Sequence, residues 1–264
     1  MTNARLCFGA AAMSGFIAMS AATPISTTRF HFDSAGCIVL PVRVDGTLRT
    51  FVMDTGARAT IVSPALATTL TRRIRQDRHG VRVVDDVSLE LLGVVLPHQA
   101  LRLSNEPILG DGVVGAKICD RFVVEIDFRA RRITLWARSV AVDTRHGVVV
   151  PADFSNEAPV IKASISAAGV KPSAATLIVG LLPDTVSFTY RYAAEAGLLD
   201  AARNGQLPIE VRGVTKSSLS VVTHLPRQPE RHVSMIADGI VSARALTRSW
   251  IVFDSSRGRI VIGR

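Results

Sequence analysis

Asp54 is an acidic residue whose neighbours in the sequence suit a catalytic carboxylate. It stands in FVMDTGARATIVSP, residues 51–64, between an apolar run that ends at Met53 and a second short apolar run. Gly56 lets the backbone turn tightly beside the carboxylate and offers a close N–H donor, and the hydroxyl group of Thr55 can brace the loop. The alternative is a turn aspartate that only caps its own backbone. The pattern raises the question of a second carboxylate to work with Asp54.

The sequence contains an internal repeat, because residues 111–135 and 238–262 align without a gap. The identical pairs are Asp111/Asp238, Gly112/Gly239, Val114/Val241, Ala116/Ala243, Arg121/Arg248, Asp127/Asp254, Arg132/Arg259 and Ile133/Ile260. Each copy predicts a short strand, a helix of one or two turns and then a β-hairpin. A repeat of this kind indicates a duplicated architecture.

The segments before each copy match more loosely. Residues 38–53 alternate like two strands joined at Asp45-Gly46, which is a hairpin signal, and residues 158–179 have the same form with a longer turn. Residues 87–103 predict a further strand pair that turns at Gly93.

These patterns predict the domain organisation. Residues 138–157 have little periodicity and are predicted to connect two halves. The sequence therefore predicts an all-β chain of two similar lobes, residues 28–137 and 158–264, with short helices.

The motif Asp54-Thr55-Gly56-Ala57, with Val113-Val114-Gly115 and FVVEIDF after it, resembles the aspartic proteases. The greatest likeness is to the bacterial retropepsin-like, pepsin-related family, over about residues 37–136 and more weakly over the second half. The resemblance implies two β-barrel lobes with a cleft between them. It also implies that Asp54, Thr55 and Gly56 form the catalytic motif, with Ala57 and Gly115 beside bound substrate, and that Thr55 grips the partner lobe.

The chemistry of this family needs two carboxylates that share one proton. The ionised group takes a proton from water, and the protonated group polarises the scissile carbonyl. Like charges about 3 Å apart cannot both ionise, which separates the two roles.

The second lobe allows two registers for the second carboxylate. Asp184-Thr185 is followed by Val186 where the motif needs glycine, and Pro183 stands where a strand residue is expected. The other register comes from the helix starts.

In lobe one, Ser63 is a good N-cap before Pro64, and Thr189 is the equivalent cap in lobe two. Counting back from Thr189 by the distance that separates Ser63 from Asp54 reaches Gly180. Gly180 is therefore predicted to replace the second aspartate.

The second site is predicted to be degenerate beyond the missing acid. Leu181, Leu182 and Pro183 replace the threonine, glycine and alanine of the motif, and Ser242 stands where Gly115 stands in lobe one. The sequence contains no intact second motif.

The formal charge of +9 and the pI near 10.4 raise the question of an anionic partner. The excess is mostly arginine spread along the chain, with lysine only at positions 117, 162, 171 and 216. Two Tyr and two Trp provide few stacking platforms for bases, so we predict a solvated basic surface and no nucleic-acid partner.

No metal or cofactor is predicted. The six histidines have no paired metal-ligand spacing, and the sequence has no C-x-x-C, no G-x-S-x-G and no phosphate-binding glycine loop. Cys37 and Cys119 remain after the N-terminal segment, either as a disulfide or, in the preferred interpretation, as two buried free thiols.

The N-terminus predicts export. Arg5, the apolar stretch 6–18 and the small residues up to Ala22 follow the pattern of a secretory signal peptide, residues 1–22. A permanent membrane anchor is the alternative, although the apolar run is shorter than about 20 residues. The mature protein is predicted to be periplasmic or secreted, without stable membrane insertion.

The sequence is compatible with two functions. The first is an exported aspartic endopeptidase that acts on peptides or proteins, in which a homodimer could supply a second Asp54. The second is a pseudoprotease that binds extended peptides in the retained cleft. The best sequence-based position for a flap over the cleft is residues 71–84.

Overall fold

A computed structural model gives the fold of residues 22–263, apart from residues 71–73, 79, 106–107, 144, 168–169, 182, 184, 200–205, 212–213 and 222–236. The strands are β1 (Ser26–Arg29), β2 (His31–Phe32), β3 (Ile38–Val44), β4 (Thr47–Met53), β5 (Ile61–Val62), β6 (Ile74–Gln76), β7 (Arg82–Leu91), β8 (Val94–Leu103), β9 (Gly112–Val114), β10 (Val123–Asp127), β11 (Arg132–Trp136), β12 (Gly147–Pro151), β13 (Val160–Ala167), β14 (Val170–Gly180), β15 (Thr185–Phe188), β16 (Gln206–Val211), β17 (Val214–Val221), β18 (Gly239–Ser242), β19 (Trp250–Asp254) and β20 (Arg259–Gly263). The helical segments are α1 (Pro64–Thr69), α2 (Tyr190–Glu195), α3 (Ala243–Leu246) and the 3₁₀ segments Ala116–Asp120 and Ser255–Arg257. The prediction of an all-β chain is confirmed.

Local sequence signals account for the hairpins. Asp45 and Gly46 both have positive φ, 47° and 80°, as a two-residue type I′ turn requires, and they join β3 to β4. Leu92 and Gly93, with φ of 54° and 76°, likewise join β7 to β8. Both predicted turns are confirmed.

The strands of each half pair in the same order. In the first half, β3, β4, β9, β5, β8 and β7 follow one another in an eight-stranded sheet, and an additional β3–β7 pairing closes this group on itself. In the second half, β13, β14, β18, β15, β17 and β16 form a closed barrel. In both halves a hairpin leads into a parallel strand, β9 or β18, which then pairs antiparallel with β5 or β15.

The repeated aspartates make the same contacts in both halves. The Asp111 carboxylate accepts the Thr50 N–H at 2.9 Å, and the Asp111 N–H donates to the Thr50 carbonyl at 2.8 Å. Asp238 does the same with Thr176, at 2.8 and 2.7 Å. The sequence repeat is therefore also a repeat of hydrogen bonds.

The two halves share a six-stranded sheet in the order β1-β11-β10-β19-β20-β12. The hairpins β10–β11 and β19–β20 meet through the antiparallel pair β10–β19, so they join the halves and do not belong to separate lobes. Residues 138–157 are more than the predicted connection, because they contain β12, which pairs with β20. Its short valine run has only Val150 fully in the core, and so it gave little periodicity.

Both predicted helix starts are confirmed. Pro64 is the first residue of α1, and the Ser63 hydroxyl accepts the Leu66 N–H at 3.1 Å. The Thr189 hydroxyl accepts the Tyr192 N–H at 3.3 Å at the start of α2. Each cap satisfies one of the free N–H groups of its helix.

The main hydrophobic core is continuous through both halves. It contains Phe51 and Leu40 of the first half, Leu177 of the second, and Ile126 and Phe253 of the shared sheet, all fully buried. Burial of side chains of this size stabilises the fold by about 1.5–3 kcal/mol each. This packing fixes the ends of β4 and β14, where the candidate site lies.

Candidate functional site

Asp54 lies at the point where β4 leaves its sheet. β4 runs parallel to β9, and the Asp54 N–H donates to the Val114 carbonyl at 3.0 Å, just beyond the Met53–Val114 pair. The chain then turns through Thr55 and Gly56 before β5 begins. The end of β4 therefore holds the backbone of Asp54, and its carboxylate is half-buried.

The Asp54 carboxylate is held by two backbone donors from different halves of the chain. Oδ1 accepts the N–H of Gly56 at 2.9 Å and the N–H of Leu181 at 2.9 Å. Leu181 follows β14 and is itself buried. One oxygen of the carboxylate is thus used for structure, and the described residues place no hydrogen bond on Oδ2.

Gly180 faces Asp54. A Cβ atom built on Gly180 would lie 3.1 Å from Asp54 Oδ1 and 3.7 Å from the Gly56 Cα. The strand registers agree, because Val179 pairs with Val241 as Met53 pairs with Val114. This is the placement that the helix-cap spacing predicts, and no carboxylate can arise at this position. Asp184, of the other register, and Leu182 lie outside the described residues.

Burial raises the pKa of Asp54. Removal of the carboxyl group from water is the largest cause, and it outweighs the opposing hydrogen bonds from Leu181 and Gly56. A carboxylate without a like-charged neighbour is expected from the sequence to titrate near its ordinary pKa of about 3.9. That expectation is wrong here, because it ignores desolvation.

Thr55 connects the two halves. Its side chain is fully buried, and its hydroxyl donates to the Val179 carbonyl at 2.8 Å. Leu181, which replaces the threonine in the second half, has no hydroxyl to make the reciprocal bond. This hydrogen bond therefore runs only from Thr55 to Val179, without an equivalent side-chain bond from Leu181 to the first half.

Thr55→Val is expected to lower the free energy of unfolding by about 1–3 kcal/mol, because it leaves a buried carbonyl without its donor. Urea unfolding measures this loss. Thr68→Val is the control, since the Thr68 hydroxyl is exposed and bonds only within its helix, to Ala65. Equal losses in both variants would show that the contact between the halves contributes nothing.

Gly115 and Ala57 lie in two backbone segments that contact each other. The Ala116 N–H donates to the Ala57 carbonyl at 2.7 Å, and a Cβ on Gly115 would lie 2.4 Å from the Ala59 carbonyl oxygen. Gly115 is required for this close approach. Ser242 fills the corresponding position in the second half and is buried. The predicted contact of Ala57 and Gly115 with substrate stays a prediction.

Sequence reasoning missed two main-chain groups of the site and one arginine contact. The Leu181 N–H and the Val179 carbonyl are main-chain groups, and a sequence pattern does not mark such groups. Arg244 was also missed: its guanidinium lies 4.3 Å from the centroid of the Phe32 ring and donates to the Gly36 carbonyl at 2.9 Å. This contact ties α3 to the loop before β3.

The remaining candidates are the cysteines, the residue types that could bind a metal, and the predicted flap. Cys37 and Cys119 are buried free thiols, as preferred from the sequence. In the described part of the chain, no group of three or more His, Cys, Asp or Glu residues could hold a metal ion. Within the predicted flap, residues 71–84, β6 pairs antiparallel with the start of β7, and β6 is the exposed edge among the described strands of its sheet. Residues 71–73 and 79 of the predicted flap lie outside the described residues.

Asp54→Asn is expected to become more stable than the wild type as the pH rises. The raised pKa of Asp54 means that its contribution to stability is complete below about pH 4 and is lost as the pH rises through the folded-state pKa. Asparagine can still accept both N–H groups and carries no charge. Unfolding free energies measured between pH 3 and 8 give the difference.

Asp153→Asn is the control with the opposite sign. The Ser155 N–H lowers the pKa of Asp153, so its contribution is present above about pH 4 and is lost as the pH falls. If Asp54→Asn and Asp153→Asn show the same trend with pH, the burial assigned to Asp54 is incorrect.

Comparison with protein-family models and with curated proteins finds no match for this sequence. Among the described residues, no helix is long and apolar enough to cross a membrane. The predicted signal peptide, residues 1–22, lies outside the described residues except for Ala22.

Proposed function

We propose that this chain is an exported protein with a pepsin-like, two-lobed fold that binds extended peptides at Asp54 without rapid hydrolysis. The observation that carries the proposal is the pairing of Asp54 with Gly180. The position opposite the carboxylate has no side chain, and the Leu181 N–H occupies Oδ1. The chain keeps the turn of the Asp-Thr-Gly-Ala motif, but glycine stands at position 180, where a second aspartate would be needed.

Retained features of the cleft support peptide binding. The D-T-G-A turn, the close approach at Gly115 and the buried Thr55 bond are all intact. Among the described strands, β6 lies at the edge of its sheet, and all three of its residues are exposed. An exposed edge offers free backbone groups to which an extended peptide can add as a strand.

The same geometry argues against activation by a second copy. In a homodimer built on lobe one, the Asp54 loop of the second chain would need the space in front of Asp54. Val179, Gly180 and Leu181 of the same chain already fill that space. We therefore propose that each molecule forms its own cleft.

The second candidate is the aspartic endopeptidase, and the raised pKa of Asp54 favours it. Because burial raises the pKa of Asp54, its carboxyl group keeps its proton to a higher pH than an ordinary aspartate does, and a protonated carboxyl group can polarise a carbonyl. Asp54, Thr55 and Gly56 would then carry the reaction, with Asp54 as the only carboxyl group that the described residues bring to the site.

Fluorescence anisotropy with dye-labelled unstructured peptides tests the proposal. Saturable binding is expected, without cleavage products in mass spectra. Ala57→Trp should abolish binding by filling the space beside Asp54, whereas Ala65→Trp, on the exposed face of α1, should not. Failure of every peptide to bind would refute peptide capture, and rapid cleavage would establish the second candidate.

Export is proposed from the N-terminal sequence alone. Mass spectrometry of the periplasmic or secreted protein should find a chain that begins near Thr23. An intact Met1 on a membrane-bound species would contradict it.

A further inference from the structure

A pocket of about 390 Å³ lies beside the Asp54 loop, which is within the usual size range of ligand pockets. Ala59 and Thr60, which follow that loop, form part of its wall, and the 3₁₀ segment Ala116–Asp120 forms another part. The apolar lining is Val83, Leu89, Leu91, Leu96, Leu101 and Ile118.

Strand register brings two guanidinium groups to this pocket. Arg75 of β6 pairs with Val83 of β7, and Val83 pairs with Arg102 of β8. Directly opposed residues point to the same face of a sheet, so Arg75 and Arg102 flank Val83 on one face. Both line the pocket, together with Lys117 and Arg121 from the facing segment.

Two acidic residues, Asp77 and Glu157, line the pocket together with these cations. The Asp77 carboxylate accepts the Val81 N–H in its own turn at 2.9 Å, and Glu157 faces Arg58 at 3.8 Å. Of the four basic side chains, Arg75 is paired with Asp85. Among the described residues, no ion pair involves the other three cations, Arg102, Lys117 and Arg121.

We propose that this pocket selects peptides by an acidic side chain, with Arg102 as the principal contact. The inference rests on the proposed peptide binding and names the class of peptide. A glutamate can lay its methylene groups on the apolar lining while its carboxylate reaches a guanidinium, which binds carboxylates in a two-pronged geometry. A neutral side chain of the same shape would leave Arg102 without a carboxylate partner.

The test compares peptides that differ at one position. Labelled peptides are scanned with glutamate or glutamine at each position, and their affinities are measured by anisotropy. At one position glutamate is expected to bind about tenfold more tightly, as suits a charge-assisted hydrogen bond in a partly buried site. Raising the salt concentration should reduce this preference.

Variants assign the preference to the pocket. Arg102→Gln should remove the preference for glutamate over glutamine, and Arg102→Glu should shift the preference towards lysine. Lys162→Gln, an exposed cation on β13, is the matched control and should keep the glutamate preference.

The outcomes separate the two proposals. If no peptide binds, the proposed function fails. If peptides bind but glutamate and glutamine are equal at every position, or if Arg102→Gln keeps the preference, the acidic selectivity is overturned while peptide binding stands.

Discussion

Gly180→Asp is expected to lower the free energy of unfolding at neutral pH by about 3–5 kcal/mol, the cost of an uncompensated buried charge. A new Cβ would lie 3.1 Å from Asp54 Oδ1 and 3.3 Å from Ile240 Cγ2. The added carboxylate would face a half-buried carboxylate whose Oδ1 already accepts two N–H groups. Two like charges at this distance cannot both ionise.

The loss of stability caused by Gly180→Asp should increase as the pH rises. Repulsion and burial raise the folded-state pKa of the new carboxyl group, so the destabilisation is small below about pH 4 and grows as the pH rises. Urea unfolding at pH 3.5 and pH 7.5, two conditions chosen on either side of an ordinary aspartate pKa of about 3.9, measures the difference.

Gly180→Asn is the matched control, because asparagine has the same size without the charge. It should show the steric part of the loss at both pH values and little pH dependence. If Gly180→Asp and Gly180→Asn are equally stable at pH 7.5, a pH far above an aspartate pKa of about 3.9, then residue 180 does not face Asp54 as described.

Short-range signals made much of this site predictable. The caps Ser63 and Thr189 depend on a hydroxyl beside a helix start, which is a local property, and their spacing gave the register of Gly180. The turns at Asp45-Gly46 and Gly93 are equally local. The repeat aligned Asp111 with Asp238, and the structure shows that these two aspartates make matching hydrogen bonds.

Long-range properties were not predictable in the same way. The pKa of Asp54 depends on how much of the chain covers it, and the Val179 carbonyl has no side-chain signature. β12 was missed because its short valine run does not alternate, and its pairing with the distant strand β20 leaves no local signal in the sequence. The alignment of Arg75 with Arg102 requires the register of three strands.

Peptide hydrolysis by the purified chain is expected to be slow, with the assistance of a second acid–base group, about 10²–10⁴-fold, missing. One carboxyl group cannot both take a proton from water and donate one to the carbonyl in a single step. Oδ1 of Asp54 is held by Gly56 and Leu181, which leaves Oδ2 for either role. Mass spectrometry of peptide digests between pH 3 and 8 measures the rate.

The shape of the pH profile distinguishes one acid from a pair. If Asp54 acts alone, the pH–rate profile should show a single ionisation, at a higher pH than for an ordinary aspartate because burial raises the pKa of Asp54. A pair of acids would instead give a bell-shaped profile with two ionisations. Asp54→Asn should remove the ionisation, and Gly180→Asp should not restore hydrolysis, because Leu181 cannot supply the threonine hydroxyl of the second motif. The rate per molecule should not change on dilution, since the chain's own Gly180 region occupies the space in front of Asp54. Fast hydrolysis with a bell-shaped profile that Asp54→Asn abolishes would mean that another acid of this chain completes the pair, and the assignment of Gly180 as the partner position would then be wrong.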